Sequence, residues 1–216
     1  MNAVGSVLAS GATVVAAFLI GAVFWTLGEY VLHRWAFHAL KGRGIGSREH
    51  LLHHVRATWT FDPVILWAWF GVVLSGVGWG ALVSWLVGPL AGLSFGAGWI
   101  AGYFLYEWHH AQAHLRAPAN RWEIAMRKHH FHHHFGHPMS NQGVTHPLFD
   151  IVFGTIERPE RVRVPRRLAM VWLIDDEGRV RPEYRSDYEL VGTTRRDERT
   201  ASLDHARAFA NLTPVP

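Results

Sequence analysis

The chain contains no cysteine among its 216 residues. That excludes disulfides, thiolate-bound zinc and iron–sulfur clusters held by this chain. Charge is also missing from two long stretches, because neither Met1–Gly28 nor Pro63–Tyr106 has an Asp, Glu, Lys or Arg. The first stretch lacks the basic start and small-residue cleavage site of a secretory leader. Its apolar part, from about Val7 to Leu32, is long enough to cross a bilayer, which takes about 20 residues. It is expected to be an uncleaved transmembrane helix ending at Glu29 to His33. As one helix, Pro63–Tyr106 would be roughly 66 Å long at about 1.5 Å per residue, twice the hydrocarbon thickness of roughly 30 Å. Two spans are therefore expected, broken at Gly88-Pro89.

The basic residues lie elsewhere. Arg34, Lys41, Arg43, Arg48 and Arg56 follow the first span, and Arg116, Arg121, Arg127 and Lys128 follow the last. The positive-inside rule puts both segments in the cytoplasm and the N-terminus outside. The formal charge of +4 is thus a matter of membrane topology, and no nucleic-acid partner is expected. A fourth, half-inserted segment around Trp122 to Met126 would bring three spans to four. Residues 157–216 are polar, with arginines and acids alternating. There Ala169–Ile174, Asp175–Gly178 and Arg179–Arg181 read as strand, turn and strand, and the tail from about Thr193 is expected to be poorly ordered. The expected architecture is an all-α integral membrane helical bundle with a cytosolic histidine-rich cap. Its domains are residues 1–160, the membrane and metal part, and 161–216, a polar cytosolic extension.

Histidine is what the chain has in excess. There are 16, and all but His205 fall between His33 and His146. Four clusters stand out: HRWAFH (His33, His38), HLLHH (His50, His53, His54), HHAQAH (His109, His110, His114) and HHFHHH (His129 to His134). Positions i, i+3 and i+4 share one helical face, so each HxxHH presents three imidazoles to a common metal region. His110 and His114 do the same at i, i+4. His33 and His38, about 140° apart on an α-helix, are expected to serve different metals unless the second lies on the following loop. Imidazole suits iron, zinc, copper and nickel. Ten such groups exceed the needs of one ion, and two ions with about five nitrogens each is the simplest allocation. Structural zinc takes four ligands, so the excess favours a redox pair. Spacing alone leaves His109 open against His110, and His129 or His132 against His130. His137, His146 and His205 are set aside as non-ligands.

These motifs resemble the fatty acid hydroxylase superfamily over roughly residues 25–157. The order HxxxxH, HxxHH, HxxxH, HxxHH is similar to the fatty acid 2-hydroxylase layout. Tyr106-Glu-Trp-His-His110 resembles that group's third motif and selects His110. Lys128–Phe135 resembles its last motif and selects His130, His133 and His134. Asn141–Thr145 and Leu148–Thr155 resemble its closing stretch, which holds no ligand. The resemblance implies a membrane-bound dimetal oxygenase, normally di-iron, with zinc able to replace iron in a purified sample. Its metal ligands would be His33, His38, His50, His53, His54, His110, His114, His130, His133 and His134. No catalytic residue beyond the dimetal centre and no further cofactor is implied. The activity would hydroxylate or desaturate an unactivated C–H position of a fatty acyl or sterol-like lipid, using O2 as co-substrate. This chain shows no fused cytochrome b5 domain, so a separate ferredoxin- or cytochrome b5-like donor with its reductase is expected. The oligomeric state is left open.

Two other functions compete. A carotenoid ring hydroxylase would use His109 and His114 as HxxxxH. A non-catalytic membrane metal-binding protein would need polar residues inside the spans, and Pro63–Tyr106 offers few. Trp25, Trp67, Trp69, Trp99 and Phe104 are candidates to line a substrate cleft or simply to pack. Glu29 and Glu107 are candidates to orient imidazoles or to face water, and Asp150 is expected to stabilise the closing loop.

Overall fold

A computed structural model describes residues 3–195 and 197–216, with side chains from Ser10 onward. Met1 and Asn2 of the charge-free first stretch, and Arg196 of the tail, lie outside the described residues. The chain is mostly helical: α1 Ala3–Val31, α2 Ile45–Arg56, α3 Ile65–Leu86, α4 Pro89–Leu115, α5 Arg121–Phe135, α6 Leu148–Val152 and α7 Glu198–Phe209. Strands β1 (Val162–Pro165) and β2 (Tyr188–Val191) pair in parallel. The helix break falls where the sequence places it. Gly88 has φ +131, and Pro89 opens α4, where its missing N–H costs no bond.

The chain forms two compact units: residues 1–28 with 61–107, and residues 29–60 with 108–216. This division differs from the expected one at residue 160. In the first unit, small residues let helix backbones touch. A Cβ on Gly96 would lie 2.6 Å from Gly76 O, and one on Gly98 would lie 2.0 Å from Phe18 O. Gly76/Gly80 and Gly92/Gly96 are four apart on α3 and α4, the small-xxx-small spacing by which helices associate in lipid. Trp25 and Trp99 are buried and meet edge to face, and Trp99 Nε1 donates to Ser75 Oγ at 3.0 Å. Trp69 packs on Phe104, whereas Trp67 is exposed.

Among the described residues, two helical runs, Ser10–Ala39 and Ile65–Leu86, are long and apolar enough to cross a membrane. The third expected span, in α4, is not one of them, because its glycines, Tyr103 and Tyr106 lower its hydropathy. Nor is Trp122–Met126 a separate segment. It forms the first turns of α5, opened by a polar cap in which Asn120 Oδ1 accepts from Glu123 N at 2.9 Å and Glu123 Oε2 accepts from Ala119 N at 3.0 Å.

The second unit explains why phenylalanine interrupts the histidine run. Phe131 and Phe135, one helical turn apart, are buried against Val162, Val164, Leu168, Trp172 and Tyr188. The polar extension therefore shares a core with the histidine helix. Its expected hairpin reduces to a turn, Asp175–Gly178, closed by the single antiparallel bridge Ile174–Val180. The tail is ordered as α7, which packs on α2. Arg167 and Asp204 hold it with a buried bidentate ion pair, Nη2 donating to Oδ1 at 2.8 Å and Nε to Oδ2 at 3.1 Å, and removing one partner of such a pair costs about 3–5 kcal/mol.

Gly96→Ala should lower the melting temperature of the protein in detergent by an amount equivalent to about 1–3 kcal/mol. Gly78→Ala, where a Cβ meets nothing within 4 Å, should leave it unchanged or raise it slightly. Equal effects at the two positions would refute the close α3–α4 approach.

Candidate metal centre

Ten histidines of the second unit converge in two groups. His33, His38, His50, His54 and His133 form one; His53, His110, His114, His130 and His134 form the other. Within each group the candidate ligand nitrogens lie within 4.8 Å of one another, and only His53 is less than fully buried. These are the ten positions singled out from the sequence.

How the sequence divides them differs from expectation. Each HxxHH motif is split between the groups. His50 and His54 face the first and His53 the second, while His130 and His134 face the second and His133 the first. The i, i+4 pairs stay together, as do His110 and His114. The i+3 residue is turned far enough around the helix to serve the neighbouring group.

His33 and His38 are the second correction. They belong to the same group, although an α-helix would hold them apart. Leu32–Ala39 is a π-helix, in which i→i+5 bonding brings residues five apart into register.

The buried imidazoles are set up as acceptors. His33 Nδ1 lies 2.5 Å from Gln142 O, His133 Nδ1 2.9 Å from Ser140 O and His38 Nδ1 3.0 Å from Asn211 Oδ1. In the second group His53 Nδ1 meets Thr58 O at 3.0 Å and His114 Nδ1 meets Ala57 O at 3.1 Å. A carbonyl oxygen only accepts, so Nδ1 carries the proton and Nε2 keeps its lone pair. Those Nε2 atoms face one another: His38 and His133 at 3.1 Å, His33 and His50 at 3.1 Å, His53 and His110 at 2.9 Å, His114 and His130 at 2.9 Å. The pair His38–His133 has a fixed tautomer on both sides and no proton to share. His134 buries both ring nitrogens, and His130 its Nδ1, without a hydrogen-bond partner.

A cation at the centre of each group satisfies these lone pairs. Two nitrogens at right angles on an ion, each at about 2.1 Å, are about 3.0 Å apart, against about 3.4 Å for a tetrahedron. The observed 2.9–3.1 Å contacts fit the first geometry. The residues present therefore fit a metal pair with more than four ligands each.

Burial holds the imidazoles neutral, the form that binds metal. It pushes His50, His54, His110, His114, His130, His133 and His134 well below the ordinary histidine value. Burial lowers His53 to about 4, with the Thr58 carbonyl partly opposing it.

The loop Ser140–Thr145 supplies two of the orienting carbonyls and is itself gripped at both ends. Asp150 accepts from Gln142 N and Gly143 N at 2.8 Å, from Thr155 Oγ1 at 2.7 Å and from His129 Nε2 at 3.0 Å. Burial alone would raise the pKa of Asp150, but these bonds outweigh it and hold the carboxyl below its usual range. Glu29 accepts from Val144 N, from Thr145 N at 3.0 Å and from Thr145 Oγ1 at 2.5 Å. Asp150 thus stabilises the closing loop as expected. Glu29 acts on the loop and not on an imidazole, and Glu107 accepts from Tyr103 at 3.2 Å.

The histidines left open are placed elsewhere. His129 bonds Asp150, His132 and His137 bond Glu157, and His109 lies half-buried against Trp108. His146 stacks on Trp122 and His205 on Phe209. Sequence reasoning missed Asn211, whose tail carried no motif. A small cavity beside His130, about 20 Å³ and lined by His109, Arg116, Glu123 and Arg127, has room for a water but not an acyl chain.

The family model described as "Fatty acid hydroxylase" matches residues 18–155. The chain belongs to the fatty acid hydroxylase family. All ten clustered histidines fall inside that segment, and Asn211 falls outside it. The chain is 30% identical over 148 residues to a dihydroceramide fatty acyl 2-hydroxylase of Arabidopsis thaliana, covering 64% of this chain and 59% of that protein. It is 31% identical over 154 residues to the fatty acid 2-hydroxylase of Rattus norvegicus, covering 64% and 39%. A solved structure of full-length scs7p, with only the hydroxylase domain visible, superposes with a TM-score of 0.50 at 25% identity, covering 68% of this chain and 57% of that one. The chain thus spans between two fifths and three fifths of these relatives' lengths.

Acid should dismantle this fatty acid hydroxylase centre. Histidines of the unfolded chain take up protons near pH 6.5, whereas the buried ones resist protonation. Stability is therefore full above about pH 6.5 and declines as the pH falls towards 4, the value His53 reaches. Melting temperature and bound metal, measured across pH 4.5–8, should fall together on the acid side. A flat profile would argue against neutral buried imidazoles. Asp150→Asn places an amide N–H against donors, so a loss of about 1–3 kcal/mol in stability is expected, with metal affinity down about 10–100-fold.

Proposed function

We propose that the chain is a membrane-bound lipid hydroxylase that uses a di-iron pair to hydroxylate a fatty acyl chain. Position 2 is the carbon favoured by the names of its relatives. The supporting observation is the pair of five-nitrogen groups with lone pairs turned inward. Five imidazoles in each group would hold one ion apiece, and two adjacent groups suit a redox pair better than structural zinc. The overall change is R–H + O2 + two electrons + two protons → R–OH + H2O. When bound, the metal pair supplies the O2 reduction and C–H oxidation that no side chain can perform.

The protein's own contribution is orientation. Gln142 O, Ser140 O, Thr58 O, Ala57 O and Asn211 Oδ1 fix the tautomers of five imidazoles. Burial keeps those imidazoles neutral and water out. The basic residues flanking the histidine segments favour a cytoplasmic site, where a separate ferredoxin- or cytochrome b5-like donor supplies the electrons. His109 stands outside both groups, so the HxxxxH spacing that favoured a carotenoid hydroxylase loses its support.

The test compares the lipids of cells expressing the wild type or His133→Ala at matched protein levels with iron supplied. One added oxygen on an acyl chain should appear with the wild type only. A desaturated product would replace hydroxylation by desaturation. Wild-type protein carrying two metals with no lipid change, in cells given a reductase and a dihydroceramide, would leave a non-catalytic metal-binding protein.

A further inference from the structure

The C-terminal tail lies beyond the family segment and yet reaches the first histidine group. We propose that Asn211 is a positioning residue of the metal centre and that the tail from α7 onward is a strap holding it there. The proposal rests on the dimetal reading above.

Asn211 clamps one residue at two points. Its Nδ2 donates to His38 O at 3.1 Å, and its Oδ1 lies 3.0 Å from His38 Nδ1. The backbone carbonyl decides which way the amide faces. A carbonyl can only accept, so the NH2 end must face it and Oδ1 must face the ring. Oδ1 in turn needs a donor, so Nδ1 carries the proton and Nε2 presents its lone pair to the group. His33 and His133 receive the same instruction from backbone carbonyls of the Ser140–Thr145 loop. His38 receives it from a side chain 173 residues away. It also stands on the π-helix, a backbone with weaker intrinsic preference than the α-helix, where a second hold on its carbonyl fixes the turn.

The tail is built to keep Asn211 in place. Asn211 has φ +58, a left-handed conformation that asparagine tolerates, and its N–H donates to Ala208 O at 2.9 Å at the end of α7. Before it, Asp204 is locked to Arg167. After it, Val215 N donates to Asp204 Oδ1 at 3.0 Å, Arg167 donates to Val215 O at 2.8 Å, and Arg207 donates to Thr213 O. Phe209 lies against Gly42, where a Cβ would come within 2.4 Å of its ring, and this seats the strap on the connection between the π-helix and α2.

The experiment loads the full chain with cobalt(II) in detergent and follows metal per chain, the visible absorption spectrum and the rate of release to EDTA. Asn211→Gly removes the side chain without backbone strain, since glycine accepts positive φ. Asn211→Asp keeps an oxygen facing Nδ1 but sets its other oxygen against His38 O, so it retains one hold of the two. The wild type should hold two cobalt ions. With Asn211→Gly, one of the two should leave about 10–100-fold faster, with a changed spectrum, while Asn211→Asp falls between that variant and the wild type. Wild-type release and spectrum in Asn211→Gly would overturn the proposal. So would equal impairment in both variants, because the acceptor would then not matter. A wild type holding fewer than two ions would overturn the dimetal reading, and this proposal with it.

Discussion

Nitrogen lone pairs that face one another in a buried space repel, and the second unit is arranged around two such confrontations. Carbonyl and amide oxygens accept hydrogen bonds from Nδ1–H of His33, His38, His53, His114 and His133. That leaves the Nε2 atoms of His38 and His133 3.1 Å apart with no proton between them. A cation in each group would replace this repulsion by attraction. Metal binding and the folding of this unit are therefore expected to be one equilibrium.

Everything else in the unit holds rings against that repulsion. Asp150 and Glu29 bind the backbone of the Ser140–Thr145 loop, whose carbonyls aim His33 and His133. Phe131 and Phe135 anchor the opposite face of α5 in the core made by the extension, so the histidine helix cannot roll away from its partners. The extension and the tail thus serve the centre mechanically, although neither holds a ligand nitrogen. Glu29 and Asp150 do so by accepting several N–H donors each, an arrangement that charge strengthens.

The clustered histidines were legible because imidazole at helical spacing has few other uses. HxxHH twice, with HxxxH between them, restricts the choice to a few residues, and the apolar charge-free stretches mark the helices that carry them. The Gly88-Pro89 break was legible for a similar local reason. Less local features were not. The expected third span is not among the helices singled out by length and hydropathy, because α4 spends positions on glycines that let helices touch. The tail looked disordered because its polar sequence hides contacts made with Arg167, Gly42 and His38, all distant in sequence.

The sequence by itself determined the family and the ten clustered histidines, since residue type and i, i+4 spacing follow from side-chain chemistry and helix geometry. Only the tertiary structure decided which five gather in each group. A π-helix brings His33 and His38 together where an α-helix would separate them, and each HxxHH is divided between two centres because α2 and α5 lie between both groups. Only the tertiary structure, too, brought Asn211 to His38. A hydrogen bond between residues so far apart leaves no periodicity in a chain and appears only when the tail is packed.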